Sequence, residues 1–336
     1  LIQQALLNWY AQNKRDLPWR VTKNPYHIWV SEIMAQQTQI ATLLPYYIRF
    51  VAAFPTVEAL AAASMDDVLK ICAGIGYYNR FHNMKKAADI MVRDFGGWVP
   101  ADPKTLQKLP GIGAYAAGAI ASIAYGVKVP AVDGNVLRVM ARLDRNHGDI
   151  AKAATKNALT KRLQAIIPDN PGDFNQALME LGALVCKPQN PLCDQCPIRD
   201  FCKGQDIWEQ LPNKPAKNPV RDVDKTILLV RYQDSVLMRK RTERLLHGLW
   251  EFYHVDGALD ESAVAAHLQG LGYTCGPVTL LGEATHVFTH LKWKMTGFAC
   301  EVGEGMTVGD YVFVLLEDVK GLATPSALRY FVESVK

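Results

Sequence analysis

Two acidic side chains, four clustered cysteines and one glycine-bracketed turn are the features of this 336-residue chain whose types and spacing can do chemistry. The turn is Leu109-Pro110-Gly111-Ile112-Gly113, followed by Ala114, Ala117, Gly118, Ala121 and Ala124 at helical spacing. Glycines ahead of a helix let the backbone approach another molecule closely, and the free amides of the first helical turn point at it, which makes an anion site. A Gly-Val-Lys-Val-Pro link then delivers Val132-Asp133-Gly134-Asn135 to the start of another helical pattern. A carboxylate therefore stands at a helix start shortly after an anion cradle. The second acid, Glu32, lies among Ile28, Trp29, Ile33 and Met34 in a helical pattern running from Pro25 to Thr38. Most helical glutamates merely edge such an apolar face, so the pattern alone leaves Glu32 open between a structural and a catalytic role. Gln36 and Gln37 follow a turn later.

The cysteines read Cys186-x6-Cys193-x2-Cys196-x5-Cys202, with Pro188, Pro191 and Pro197 keeping the stretch out of regular structure. Four thiolates in one short loop imply a metal centre, either zinc or an iron–sulfur cluster. Zinc sites usually pair two C-x2-C knuckles, and only one close pair exists here, which favours a cubane cluster. Cys72, Cys275 and Cys300 are scattered, the last two read as core, so the pattern is unlike a secreted disulfide framework and suits a reducing interior. Lys187, Arg199 and Lys203 flank the loop, either to touch phosphates or simply as solvated lysines and arginine.

These features need a scaffold. Helical patterns are expected at 40–53, 56–62, 64–72, 81–95, 103–108, 114–125, 134–143, 153–166 and 173–184, with no alternating strand pattern before residue 220. The turn Gly74-Ile75-Gly76-Tyr77-Tyr78-Asn79-Arg80 suits either a wedge into a base stack or a packed helix corner. Residues 204–222 hold three prolines and little hydrophobic periodicity, and read as a linker. Beyond it strands are expected at 226–232, 236–240, 249–255, 282–290, 292–301 and 311–315, with helices at 261–271 and 326–335. The chain is thus expected to be an all-α domain, 1–203, joined to an α+β domain, 223–336. Residues 1–203 carry 23 Lys and Arg against 16 Asp and Glu, whereas 204–336 carry 14 against 17. A mildly basic first part suits a polyanionic partner. No apolar run is long enough to span a bilayer, nothing at the start resembles a signal peptide, and a cytoplasmic (if bacterial, nucleoid-associated) protein without membrane contact is expected.

Together, VSEIMAQQTQ, GIGYYNR, LPGIGAYAAGAI, PAVDGNVLRV and the four-cysteine loop resemble the helix-hairpin-helix DNA glycosylases, and within them the MutY branch of adenine DNA glycosylases. The resemblance implies a helix-hairpin-helix domain with a 4Fe–4S cluster on Cys186, Cys193, Cys196 and Cys202, followed by a Nudix-like (MutT-like) domain. It implies removal of adenine mispaired with 8-oxoguanine or guanine in double-stranded DNA; monomeric action is expected. Glu32 matches the family's general acid, and Asp133 the carboxylate that stabilises the oxocarbenium-like sugar, with Tyr115 and Asn135 in support. Tyr115 stands where bifunctional relatives carry a Schiff-base lysine, so little or no lyase activity is expected. Gly111, Gly113 and Arg20 are expected at the DNA backbone, and Gln37 and Tyr77 beside the opposing base. Phe288-Thr289-His290 takes the place of a Phe-Ser-His lesion-reading loop, with a methyl group added at Thr289. The segment 261–268 lacks the acidic Nudix pattern, so no nucleotide hydrolysis is expected from it. The alternatives are a glycosylase of other base preference, such as thymine in T:G, or a catalytically silent lesion-binding protein.

Overall fold

The computed structural model describes residues 1–215 and 219–335. They fall into two compact units, one of Leu1–Ala62 and Asn83–Ala216, the other of Ala63–His82 and Lys217–Lys336. In chain order the first part contains α1 (Ile2–Asn13), α2 (Pro25–Met34), α3 (Ile40–Ala53), α4 (Val57–Ala62), α5 (Met65–Ile71) and α6 (Asn79–Phe95). There follow α7 (Pro103–Leu106), α8 (Ala114–Tyr125), α9 (Gly134–Leu143), α10 (Ala153–Gln164) and α11 (Pro171–Leu184). Among the described residues no helix is long and apolar enough to cross a membrane.

The helix starts follow from local chemistry. Asn24, Asp102, Asp133 and Asn170 each accept a backbone N–H of the first turn, and Pro25, Pro103 and Pro171 occupy first positions that need no donor. Leu6 and Tyr10 of α1 pack with Val136, Met140 and Leu143 of α9 and Phe174, Leu178 and Leu181 of α11. Helix α2 is apolar nearly all round, with Tyr26 and every residue from Ile28 to Met34 buried, so it runs through the interior beside α8. It stops at Met34 instead of continuing to Thr38. The chain tightens through Gln36 N–H to Ile33 and Thr38 N–H to Ala35 (both 3.2 Å), and Gln37 takes φ +56°, which no right-handed helix accommodates.

The expected linker is shorter than its composition suggests. Gln205–Gln210 form 3-10 turns, and Leu211 is buried under Arg142, whose Nε donates to its carbonyl at 2.9 Å. Residues 216–218 of that stretch, and Lys336, lie outside the described residues.

The second unit is built on one mixed sheet: β1 (Arg221–Tyr232), β2 (Ser235–Lys240), β3 (Trp250–Asp256), β4 (Thr279–Val287), β5 (Leu291–Glu301) and β6 (Val312–Leu315), in the order β4-β5-β1-β3-β2-β6. Its helices are α12 (Glu261–Gly270), α13 (Leu316–Val319) and α14 (Arg329–Glu333). Central strand β1 runs parallel to β5 over Arg221–Arg231, and this pairing starts it five residues before its apolar run. Its side chains alternate between two cores. Ile227 and Leu229 meet Phe331 of α14 on one face, while Leu228 and Val230 meet Val264 and Leu268 of α12 on the other. The closing helix is one short α-turn after 3-10 residues Ser326–Leu328, rather than 326–335 throughout. Segment 63–82, expected with the helical domain, groups here: Lys240 Nζ lies 2.6 Å from Asp66, and a Cβ at Gly248 would stand 3.0 Å from Leu69.

Candidate active site

Within the first unit, Glu32, Tyr115, Asp133 and Asn135 converge although they arise from α2, α8 and the start of α9. Glu32, in the last turn of α2, is 9% exposed, and the Tyr115 hydroxyl donates to its Oε2. Burial pushes the Glu32 carboxyl up to about 7; the Tyr115 hydrogen bond pulls it down, the neighbouring Asp133 charge raises it, and Arg20 lowers it. Tyr115 itself is raised well above the usual phenol range, chiefly by burial, and stays a donor.

Asp133 caps α9. Its Oδ1 accepts Val136 N–H at 2.7 Å and its Oδ2 accepts the Asn135 amide at 3.0 Å. Burial raises this carboxyl too, but the Val136 and Asn135 bonds and the Arg138 charge act against that rise. Arg138 then ties the capping turn down: its Nη2 reaches Asn135 Oδ1 at 2.8 Å and Gly182 O at 2.7 Å, and its Nε reaches Cys186 O at 2.8 Å. One turn further, Arg142 donates to Lys187 O (2.7 Å) and Pro188 O (3.1 Å) and lies 3.4 Å from Cys186 Sγ. Two arginines four residues apart on α9 thus join the carboxylate to the cysteine loop. Sequence reasoning overlooked both; a pair of charges in the otherwise apolar run VLRVMARL was the available signal.

Arg20 differs from its expected place on the DNA backbone. Its side chain is 10% exposed and is bound to Glu180 at 2.8 and 3.0 Å, with Arg15 on the same carboxylate at 2.7 and 2.9 Å. Burial would raise the Glu180 carboxyl, but its hydrogen bonds from Arg15 and Arg20 outweigh this and hold it down to about 2. Arg20 is therefore a fixed positive charge behind Glu32. Glu180, buried in the apolar helix ALMELGAL, also went unread.

Cys186, Cys193, Cys196 and Cys202 line one cavity with Arg142, Val185 and Trp208. Four thiols lining one cavity supply the donor set of an iron–sulfur cluster. Burial pushes the Cys196 thiol up to about 11 and raises Cys193 and Cys202, so their thiolates need a cationic partner, which iron supplies together with Arg142.

At the hairpin turn, Gly111 has φ +78° and a Cβ there would lie 2.8 Å from Asn83 Cβ, so glycine is required. Gly113, the cap of α8, has nothing within 4 Å of such a Cβ and leaves its backbone open to approach. Gln37 is exposed in its left-handed turn.

The second unit holds the remaining candidates. Gly74 (φ +96°) and Gly76 (φ +80°) set a turn that buries Tyr78 and leaves Tyr77 48% exposed. Phe288, Thr289 and His290 form the tip between β4 and β5, closed by Phe288 N–H to Leu291 O at 2.7 Å. Phe288 packs on Trp293 (4.8 Å) and His286 (4.6 Å), which anchors the tip and leaves Thr289 and His290 exposed.

Residues 30–165 match the HhH-GPD superfamily of base excision DNA repair proteins, residues 186–202 the iron–sulfur binding domain of endonuclease III, and residues 226–334 the NUDIX domain. Paired buried acids beside a helical hairpin, with a cysteine loop on the same unit, thus define a helix-hairpin-helix DNA N-glycosylase of base excision repair. Among solved structures, a thermostable thymine-DNA glycosylase is similar (28% identity, TM-score 0.54, 61% of this chain and 94% of that one). So is endonuclease III trapped as a DNA covalent intermediate (25% identity, TM-score 0.52, 60% and 93%). Relatives named adenine DNA glycosylase are 37% identical in Mus musculus (85% of this chain, 68% of that protein) and 33% identical in Buchnera aphidicola (86% and 82%). In Homo sapiens the identity is 35%, over 88% of this chain and 66% of the relative's length. The chain belongs to the adenine DNA glycosylase family, and carries that family's 4Fe–4S cluster in its 186–202 loop.

Proposed function

We propose that this chain removes adenine mispaired with 8-oxoguanine, and secondarily with guanine, from double-stranded DNA, and leaves the strand uncut. The observation that carries the reading is a pair of buried carboxyl groups in unlike settings: burial holds Glu32 up to about 7, while Asp133, also raised by burial, accepts two hydrogen bonds that favour its anion. Adenine is a poor anionic leaving group. Glu32 donates its proton to ring nitrogen 7, the N-glycosidic bond breaks with its electron pair going to the base, and Asp133 faces the cationic sugar. Water then adds to the sugar carbon, and its proton returns to the Glu32 carboxylate. Asn135 fixes Asp133, and Tyr115 holds Glu32 and offers no amine for an imine.

The flipped base leaves a distorted strand. The amides at Gly111 and Gly113 grip its phosphate, Gln37 and Tyr77 attend the opposing base, and the Phe288-Thr289-His290 tip reads the lesion. The four cysteines ligate the cluster. The protein acts as a monomer in the cytoplasm, on the nucleoid if bacterial.

Similarity to a thymine-DNA glycosylase favours one competing reading, thymine release from T:G, and one assay separates the two. Single-turnover base release is measured opposite 8-oxoguanine, G, C and T, beside a T:G duplex, without alkali. Adenine release fastest opposite 8-oxoguanine, with cleavage only after alkali, is expected; thymine release establishes the competitor, and tight binding without release a silent binder. Replacing Phe288 and His290 together by alanine is expected to erode the preference for 8-oxoguanine over guanine about tenfold, the loss of one to two polar or stacking contacts. An unchanged preference removes the tip from recognition.

A further inference from the structure

Asp133 is brought beside Glu32 by a half-buried strap, residues 127–132. Helix α8 has 12 residues and rises about 18 Å. From its left-handed cap Gly126 (φ +68°) the chain doubles back along it, and the seven residues 126–132 span at most about 25 Å. The strap is therefore a little longer than the path it must cover, and something must take up the slack.

Two contacts do so. Asn175 of α11 is 0% exposed, and both its N–H donors and its oxygen are engaged: Oδ1 accepts Ala131 N–H at 3.1 Å, and Nδ2 donates to Val129 O and to Ser122 Oγ, both at 2.9 Å. On the opposite side, Gly118 lets the strap lie on α8. A methyl group there would stand 2.2 Å from the Pro130 carbonyl oxygen, a backbone atom that cannot yield without moving the strap. Val132 alone separates this clamp from Asp133, the cap of α9.

We propose that Asn175 and Gly118 are positioning residues for base release: together they clamp the 127–132 strap to the hairpin helix and so set Asp133 at its distance from Glu32. The proposal rests on the roles given above to Glu32 and Asp133. Neither Asn175 nor Gly118 touches the reacting atoms.

The charged and titratable groups facing Glu32 are Tyr115 from α8, Asp133 from the start of α9, and Arg20 from the 3-10 turn Pro18–Arg20, with Glu180 and Arg15 behind Arg20. Of these, only Asp133 hangs from the strap. Because its charge raises the Glu32 carboxyl, a slackened strap lowers it, and the alkaline limb of the pH–rate profile moves to lower pH. A merely destabilised fold does not move that limb.

The test uses the full chain purified with its cluster. Asn175→Ala and Gly118→Ala are each expected to slow single-turnover adenine release about 10- to 100-fold, as small misplacements of reacting groups do. Affinity for a duplex bearing an uncleavable fluorinated deoxyadenosine stays within about threefold, since a positioning loss falls on the chemical step, and the alkaline limb shifts to lower pH. Release at the parent rate, loss of rate and affinity in parallel, or a slowed rate with an unmoved limb each overturns the clamp. Should Asn175→Ala fail to fold, Gly118→Ala decides, because it removes no hydrogen bond. Asp133→Asn is measured alongside: parent-like release there defeats the role of Asp133 itself, whereas an inactive Asp133→Asn beside a parent-like Asn175→Ala defeats only the clamp.

Discussion

Glu32→Gln is expected to lose adenine release by roughly three to four orders of magnitude, the upper range for a general acid, while binding mispaired duplex as the parent does. The amide keeps the shape and accepts from Tyr115 but has no transferable proton. The parent's rate is expected to fall as pH rises through about 7, where the Glu32 carboxyl loses its proton. It also falls in acid as Asp133 is neutralised, giving a bell. The same substitution has a second signature. Glu32 is raised from 4.5 to about 7 in the fold, so the native state holds its proton more tightly than the unfolded chain. The resulting penalty is absent below about pH 4, grows between the unfolded and folded values, and is complete above about pH 7, on the order of 3 kcal/mol. Glu32→Gln should therefore raise the thermal midpoint at pH 8 and leave it nearly unchanged at pH 4. Base release near the parent rate refutes the acid assignment, and an unchanged midpoint at pH 8 refutes its buried, raised state.

The second large effect concerns the cysteine loop. Cys193→Ser is expected to lose the brown colour of an iron–sulfur protein, lower the thermal midpoint and weaken duplex binding at least about tenfold, because metal-site energy is folding energy. The loss extends inward, since Arg142 binds the carbonyls of Lys187 and Pro188, and Arg138 joins Cys186 O to Asn135 beside Asp133. Metal analysis decides the cofactor directly: a colourless parent protein holding one zinc ion contradicts the cluster, and a Cys193→Ser protein with full iron content removes Cys193 from the ligand set.

Much of this is legible in the sequence. Helix starts at Pro25, Pro103, Ala114 and Gly134 follow from adjacent capping residues and glycines, which act within four residues. The β4–β5 pair was expected for the same reason: alternation and a tight turn are local. The ends of elements were less legible. Helix α2 stops at Met34 because Gln37 adopts a left-handed backbone, and β1 begins at Arg221 because β5 lies beside it, 70 residues away in sequence. Segment 63–82 reads as part of the helical domain along the chain, yet joins the second unit through contacts such as Lys240 with Asp66.

The site divides in the same way. Sequence alone determined which residues are available: Glu32 within an apolar helix, Asp133 at a helix cap, Tyr115 in place of a lysine, and four cysteines spaced for a metal. Each of these is a property of a short window. Only the tertiary structure decided their states. The raised Glu32 carboxyl is set first by burial and then by the Asp133 charge, against the opposing pull of Tyr115 and Arg20, all three brought from other segments. Arg20 turns inward to Glu180, 160 residues away, and Asn175 grips a strap more than 40 residues before it. Electrostatic and hydrogen-bond energies depend on distances through space and on the exclusion of water, and the order of residues along a chain contains neither.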